Sequence, residues 1–257
     1  MTLSSSELSH YLVMYFWPFV RIAGLIMVAP VFSSHVIPMR FRVGMAAILT
    51  AVIVPMLDPM PAVDPVGAAG LLIAVQQLLI GMAMGFMLKI VFSALELGGH
   101  AIGQTMGLGF AQMMDPANGI TVPVISQFYT VVATLAFLGL NGHLVLLSVL
   151  VESFRAFPVG TEWITGAGLW ALLAWSGWIF KGAVLMALPA VLALLLVNVS
   201  FGVMMRAAPQ LNIFSIGFPL TLMLGLLFIM VTLPIFVPQF SDLLDRSLSA
   251  IISEILR

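Results

Sequence analysis

Long apolar runs separated by short connections rich in proline and glycine dominate the chain. A membrane-spanning helix needs roughly 20 predominantly apolar residues, and several runs approach that length. Tyr11–Pro30 is long enough, with Pro18 and Arg21 inside it. Val43–Leu57 is short for a span. Gly67–Leu88 is clean apart from Gln76 and Gln77. Val122–Leu140 amounts to one span, and Leu144–Val151 is a shorter piece after Asn141-Gly142-His143. Gly166–Leu196 is very long and contains Lys181 and Pro189. Ile213–Phe236 is a further span, with breaks expected at Pro219 and Pro234. Ser241–Leu256 is amphipathic: Leu244, Leu248, Ile251, Ile252 and Ile255 share one helical face, opposite Asp245, Ser249, Ser253 and Glu254. At the other end, Ser4 and Glu7 have capping-box spacing, which predicts a helix start there. The pattern predicts an all-α integral membrane protein with about six long, partly broken helices. No stretch alternates as the strands of a membrane barrel would, and no tandem repeat or soluble linker divides the chain.

One stretch departs from this pattern. Gly103–Pro123, GQTMGLGFAQMMDPANGITVP, holds four glycines, three methionines and a single charge, Asp115. Glycine and the Asp115-Pro116 step interrupt a helix. Leu108, Phe110, Met113 and Met114 nevertheless demand burial, so a solvated loop does not fit either. An adaptable apolar loop between membrane segments is suited to closing a path. For Met106, Met113 and Met114 two readings stand side by side: sealing against a variable surface, and ordinary loop packing.

Composition agrees with a membrane protein. Of 257 residues, 62% are hydrophobic and 7% charged, against about 25% charged in soluble domains; the mean hydropathy is +1.19. The formal net charge of −1, without a basic run, argues against nucleic-acid binding. The absence of cysteine excludes disulfides, thiol chemistry and cysteine zinc sites. Met1–His10 lacks a basic segment and contains Glu7, so a cleavable signal peptide is not expected. Arg40, Arg42, Arg206, Arg246 and Arg257 do not all fall on one side when six spans alternate. The positive-inside rule therefore conflicts with a simple bilayer topology.

Arg21, Lys89, Glu96 and Lys181 sit in or beside apolar runs, where each charge costs about 2.5–3.5 kcal/mol at a bilayer centre. Three readings are open for them: bonding between helices of the fold, pairing with partner subunits, and a proton or ion relay. Lys89 and Glu96 share a face on a continuing helix. Gln76, Gln77, Gln104 and Asn198 add hydrogen-bonding groups. The sequence carries no HExxH, GxSxG or GxxxxGK[ST] motif, and His10, His35, His100 and His143 are scattered singly. No enzyme, cofactor or metal site is expected.

Four stretches in order carry a resemblance: Ala29-Pro30 through Ile37-Pro38-Met39-Arg40, then GLGFAQMMDPANG at Gly107–Gly119. NGHLVLLSVLVESFRAFPVG follows at Asn141–Gly160, and RAAPQLNIFSIGFP at Arg206–Pro219. Together they resemble the FliR family, components of the flagellar type III export gate related to injectisome SctT-type proteins. The resemblance covers essentially the whole chain. It implies assembly with FliP and FliQ into a closed helical conduit, joined by FlhB and fed by FlhA, that passes unfolded flagellar proteins at the cell membrane. It also implies a FliP-like part over residues 1–160 and a FliQ-like part over 161–257. Segments enclosed by subunits need not obey bilayer rules, which would resolve the charge conflict. The family's plug loop falls within residues 103–121. Gly107 and Gly109 are then expected to permit movement, and Phe110, Met113 and Met114 to fill the closed lumen. Arg21, Lys89, Glu96, Lys181 and Arg206 become candidates for contacts between helices or subunits. The tail at 241–256 is expected either to lie on lipid or to dock to FlhB. The competing reading is a secondary transporter or proton-conducting channel subunit with broken helices around a midplane site.

Overall fold

Residues 5–34, 37–61, 63–109, 123–160, 163–207 and 213–256 are described by a computed structural model. Among them the secondary structure is entirely helical. In chain order the helices are α1 (Ser5–Val28), α2 (Met39–Ile53), α3 (Ala68–Thr105) and α4 (Val124–Gly139), then α5 (Gly142–Ala156), α6 (Gly166–Trp175), α7 (Trp178–Ala207) and α8 (Ile213–Ala250). A 3-10 turn, Val54–Met56, extends α2, and a π turn, Ile251–Ile255, extends α8. The stretches Met39–Met56, Ala68–Thr105, Gly166–Ala207 and Gly217–Ile255 are long and apolar enough to cross a membrane. The chain is an all-α membrane protein.

Several boundaries differ from those the hydropathy pattern predicts. Val43–Leu57 was expected to be short for a span, but the helix starts at Met39, directly after Pro38, and with its 3-10 turn reaches Met56, 18 residues in all. Arg40 and Arg42 therefore lie in its first turn, where Arg42 Nη2 donates back to the Ser33 and Ser34 carbonyls at 3.0 and 2.6 Å. The run ending at Leu88 continues as helix to Thr105, because Lys89 and Glu96 fall at exposed positions and do not disturb the backbone ladder. The very long run Gly166–Leu196 divides after Trp175 and then extends to Ala207. Pro219 and Pro234 do not break α8, which also passes Pro238. Each proline removes one N–H, a loss that neighbouring apolar helices tolerate.

The chain forms two compact units from interleaved segments. The first comprises residues 1–90, 141–176 and 244–257, the second 91–140 and 177–243. In the first unit α1 packs on α2 and crosses α3 with almost no space between backbones. A Cβ added at Gly24 would stand 2.6 Å from the Leu78 carbonyl oxygen. One at Gly85 would stand 2.8 Å from that of Leu25, and one at Gly81 would overlap Arg21. Small residues spaced by four on a helix permit this approach. Trp17, Ile22, Leu25 and Ile26 of α1 and Ile80, Met84 and Leu88 of α3 are all buried. The amphipathic tail completes this unit: Leu244, Leu248, Ile251 and Ile255 are buried, while Asp245, Ser249, Ser253 and Glu254 are exposed. The closing turn packs on α5 and α6, and Trp175 Nε1 donates to Glu254 Oε2 at 2.8 Å. The tail's apolar face is thus covered by its own chain.

In the second unit an aromatic cluster joins the last half of α3 to α4 and α8. Phe92 meets Phe137 and Phe240 edge-on at 6.1 and 5.9 Å, and Phe236 stacks on Phe240 at 6.2 Å. Gly98 and Gly182 let α7 approach α3 at Ala183 and Ala94.

Candidate functional site

The candidate gate segment leaves the end of α3, and that end is capped completely. Gly107 adopts φ 86°, a left-handed conformation that costs other residues about 1–2 kcal/mol. Its N–H donates to the Gln104 carbonyl at 3.1 Å, and Leu108 N–H to the Gly103 carbonyl at 3.1 Å. This pair of bonds, with glycine in the left-handed position, is a Schellman cap. The next two carbonyls, which a helix end would leave unpaired, are taken by side chains. Asn198 Nδ2 of α7 donates to Thr105 O at 3.1 Å, and Thr221 Oγ1 of α8 donates to Met106 O at 3.2 Å. The Met106 side chain is buried against Gly225, where a Cβ would stand 2.5 Å from its Cγ. Gly109 closes against the Gln104 side chain so tightly that a Cβ would overlap Oε1.

The segment returns at the same place. Pro123 precedes α4 with φ −69° and ψ 98°, and Ile125 lies against Gly103 of α3. One turn back along α3, Gly99 admits the Ser126 backbone, and about one turn further back Ser126 Oγ donates to the Glu96 carbonyl at 2.8 Å. Two of the five sequence-predicted gating residues, Gly107 and Gly109, therefore sit at the capped end of α3. Phe110, Met113 and Met114 lie outside the described residues.

Of the five charged candidates, Arg21 alone is buried. Its Nε donates to Gln77 Oε1 at 2.7 Å. Nη1 reaches the Ser153 carbonyl at 2.8 Å and its hydroxyl at 3.1 Å, and Nη2 the Phe157 carbonyl at 2.8 Å. The Phe154 ring lies 4.1 Å from Cζ, a cation–π distance. Ser153 and Phe157 belong to the last turn and C-cap of α5, so the cation occupies the negative end of a helix dipole. It fastens α1 to α3 and α5 without a carboxylate among the described residues. Lys89, Glu96, Lys181 and Arg206 are exposed, and none forms an ion pair among the described residues. Lys181 Nζ stands 4.0 Å above the Trp178 ring, and Arg206 lies in the last turn of α7. Among the described residues no three His, Asp or Glu side chains are placed to share a metal ion. Sequence reasoning missed Ser153 and Thr221. Both act through or upon helix-end carbonyls, which have no signature in side-chain identity; the usable signal was that a lone arginine in an apolar run requires acceptors.

The bacterial export proteins, family 1, match residues 12–247. The flagellar biosynthetic protein FliR of Escherichia coli (strain K12) is 39% identical over 98% of this chain and 97% of its own length. The chain belongs to the FliR family of bacterial export proteins. Among further relatives, the FliR protein of Pectobacterium carotovorum subsp. carotovorum is 35% identical over 100% of this chain and 97% of its own length. That of Bacillus subtilis (strain 168) is 28% identical over 84% of this chain and 85% of its own length. Membership of the FliR family, with helices of spanning length, makes the chain an inner-membrane component of flagellar protein export.

Proposed function

We propose that this chain is a core subunit of the flagellar type III export gate. With FliP and FliQ it builds a closed conduit for unfolded flagellar proteins, FlhB and FlhA being further partners. It supplies a plug from residues 107–114, in which Phe110, Met113 and Met114 fill the lumen until substrate displaces them. Residues 1–160 serve as the FliP-like part and 161–257 as the FliQ-like part. The observation that carries this reading is the mounting of the plug segment. It leaves α3 at a fully capped end and re-enters beside Gly103, so the apolar segment begins and ends at one hydrogen-bonded place on α3. A few apolar contacts of about 1.5–3 kcal/mol each would hold a pore shut yet yield to a driven chain. The competing transporter reading needs charges gathered around a midplane site; Lys89, Glu96, Lys181 and Arg206 instead lie at exposed positions.

The test is deletion of Phe110–Met114 in cells carrying the complete export apparatus. Leakage of small solutes at rest, with the protein still present in the membrane, is the expected result. Unchanged permeability, secretion and growth would overturn the plug assignment. Co-purification with FliP and FliQ, followed by mass measurement of the intact complex, tests the assembly.

A further inference from the structure

The second unit presents one polar surface among apolar ones. From Val91 onward the fully exposed positions of α3 are Glu96 and Gln104, and Ser93 and His100 are partly exposed. Their spacing of three, four and four residues puts all four on one helical face, within an arc of about 80° and over about 16 Å of axis. The flanking faces are taken. Gly99 and Gly103 lie against Ser126 and Ile125 of α4, and Ala94 and Gly98 against Gly182 and Ala183 of α7. Elsewhere in the unit the exposed surface has the opposite character. Every fully exposed residue of α7 between Lys181 and Asn198 is apolar, Leu185, Leu188 and Leu192 among them. So is every fully exposed residue of α8 from Phe218 to Pro238, including Met223, Leu227 and Met230.

Resting on the proposed function, we infer that Ser93, Glu96, His100 and Gln104 form part of the conduit wall, the surface along which an unfolded polypeptide passes. Two observations select that occupant over a partner helix. The first is continuity with the gate segment. The stripe ends at Gln104, whose carbonyl accepts the Gly107 N–H and whose Oε1 lies against Gly109. A plug stands in the path it blocks, so the helix face that leads to its root borders that path. The second is chemistry. Glu96 has no ion pair among the described residues. A carboxylate sealed unpaired into a dry helix interface is strongly unfavourable, whereas in a wet passage it keeps its hydration. His100 and Gln104 meet each other at 3.4 Å, and hydroxyl, imidazole and carboxamide groups all both donate and accept. Such a wall exchanges hydrogen bonds with the backbone amides of any passing sequence and holds none of them in particular.

Because the chain has no cysteine, single substitutions report without competition. Ser93→Cys, Glu96→Cys, His100→Cys and Gln104→Cys are made in the full-length protein, with Leu188→Cys and Leu227→Cys as controls, in cells carrying the complete export apparatus. An export substrate fused to a domain that stays folded is halted in transit. Its unfolded stretch carries one cysteine at successive positions, and the cells are oxidised with copper phenanthroline. Disulfide-linked substrate is expected at the α3 positions at about ten times the control yield or more, since thiol–disulfide chemistry requires access. Membrane levels of each variant are compared, and four sampled positions keep the readout if one variant fails to accumulate. Equal yields at α3 and control positions overturn the inference. Disulfides from the α3 positions to cysteines placed in FliP or FliQ, with none to substrate, identify a subunit interface and overturn it as well. A halted substrate that never links to α3, in cells whose export still requires this chain, sinks the inference alone. Export that persists after deletion of the chain sinks the proposed function too.

Discussion

Arg21 of α1 and Ser153 of α5 meet twice: Nη1 lies 2.8 Å from the serine carbonyl and 3.1 Å from its hydroxyl. The geometry needs a planar fork with several donors. Arg21→Ala leaves the Ser153, Phe157 and Gln77 oxygens without their cationic donor in a buried site, at about 1–3 kcal/mol each. Together the three residues' unpaired oxygens imply a loss of roughly 3 kcal/mol or more, read as a collapse of membrane-inserted protein and of its melting temperature in detergent. Arg21→Lys keeps the charge but not the fork, and is expected to recover less than half of that loss.

Gly85 is one of the points at which α3 touches α1. A methyl group there would stand 2.8 Å from the Leu25 carbonyl and 3.0 Å from Ala29 N. Neither backbone atom can move without displacing its helix. Gly85→Leu is expected to drive the helices apart and abolish accumulation. The equivalent change at Gly44, where nothing lies within 4 Å, should be accommodated. Comparing protein levels and detergent melting curves for the two variants checks this.

The hydrophobic pattern reveals that helices exist, and misjudges where they stop. It ends a span at Leu88 because Lys89 is charged, yet a helix persists wherever its charges point outward, as those at Lys89 and Glu96 do. It expects breaks at Pro219 and Pro234, yet α8 runs through both. Periodicity succeeds in the tail, where Leu244, Leu248, Ile251 and Ile255 are buried. It is silent on what covers that face; its closing turn, Ile251–Ile255, packs on α5 and α6 of the same chain. It does not reveal the helix crossing at Gly24, Gly81 and Gly85, because which helices meet is a tertiary fact. The site follows the same division. Gly107 and Gly109 are visible as unusual glycines, whereas the carbonyls that receive Asn198 and Thr221 belong to no residue type.

Gly107 and Gly109 look equivalent in the sequence and differ in the fold. Gly107 needs its positive φ to end α3, so Gly107→Ala is expected to destabilise by about 1–2 kcal/mol. Among the described residues Gly109 faces the far end of the Gln104 side chain, which can rotate away. Gly109→Ala should therefore change stability by less than about 0.5 kcal/mol. Denaturation of the two purified variants in the same detergent measures the difference; equal losses would mean that the Schellman cap does not govern this end of α3.

Asn198 and Thr221 hold the Thr105 and Met106 carbonyls at the end of α3 from two different helices, at the root of the proposed plug segment. Asn198→Ala and Thr221→Val each remove one donor and leave one carbonyl unpaired, at about 1–3 kcal/mol. Helix ends that lose their caps fray, so the double variant should release the final turn of α3 at the base of the proposed plug. Overall stability and the plug should respond differently. The bulk of the second unit is held by the Phe92, Phe137, Phe236 and Phe240 cluster, which neither substitution touches. Expected, therefore, is a protein that inserts at normal levels but leaks small solutes at rest, with faster amide exchange confined to residues near 103–109. Exchange that rises throughout α3 and α4 would assign the two side chains to general stability. Tight closure with normal exchange would show that the cap is redundant.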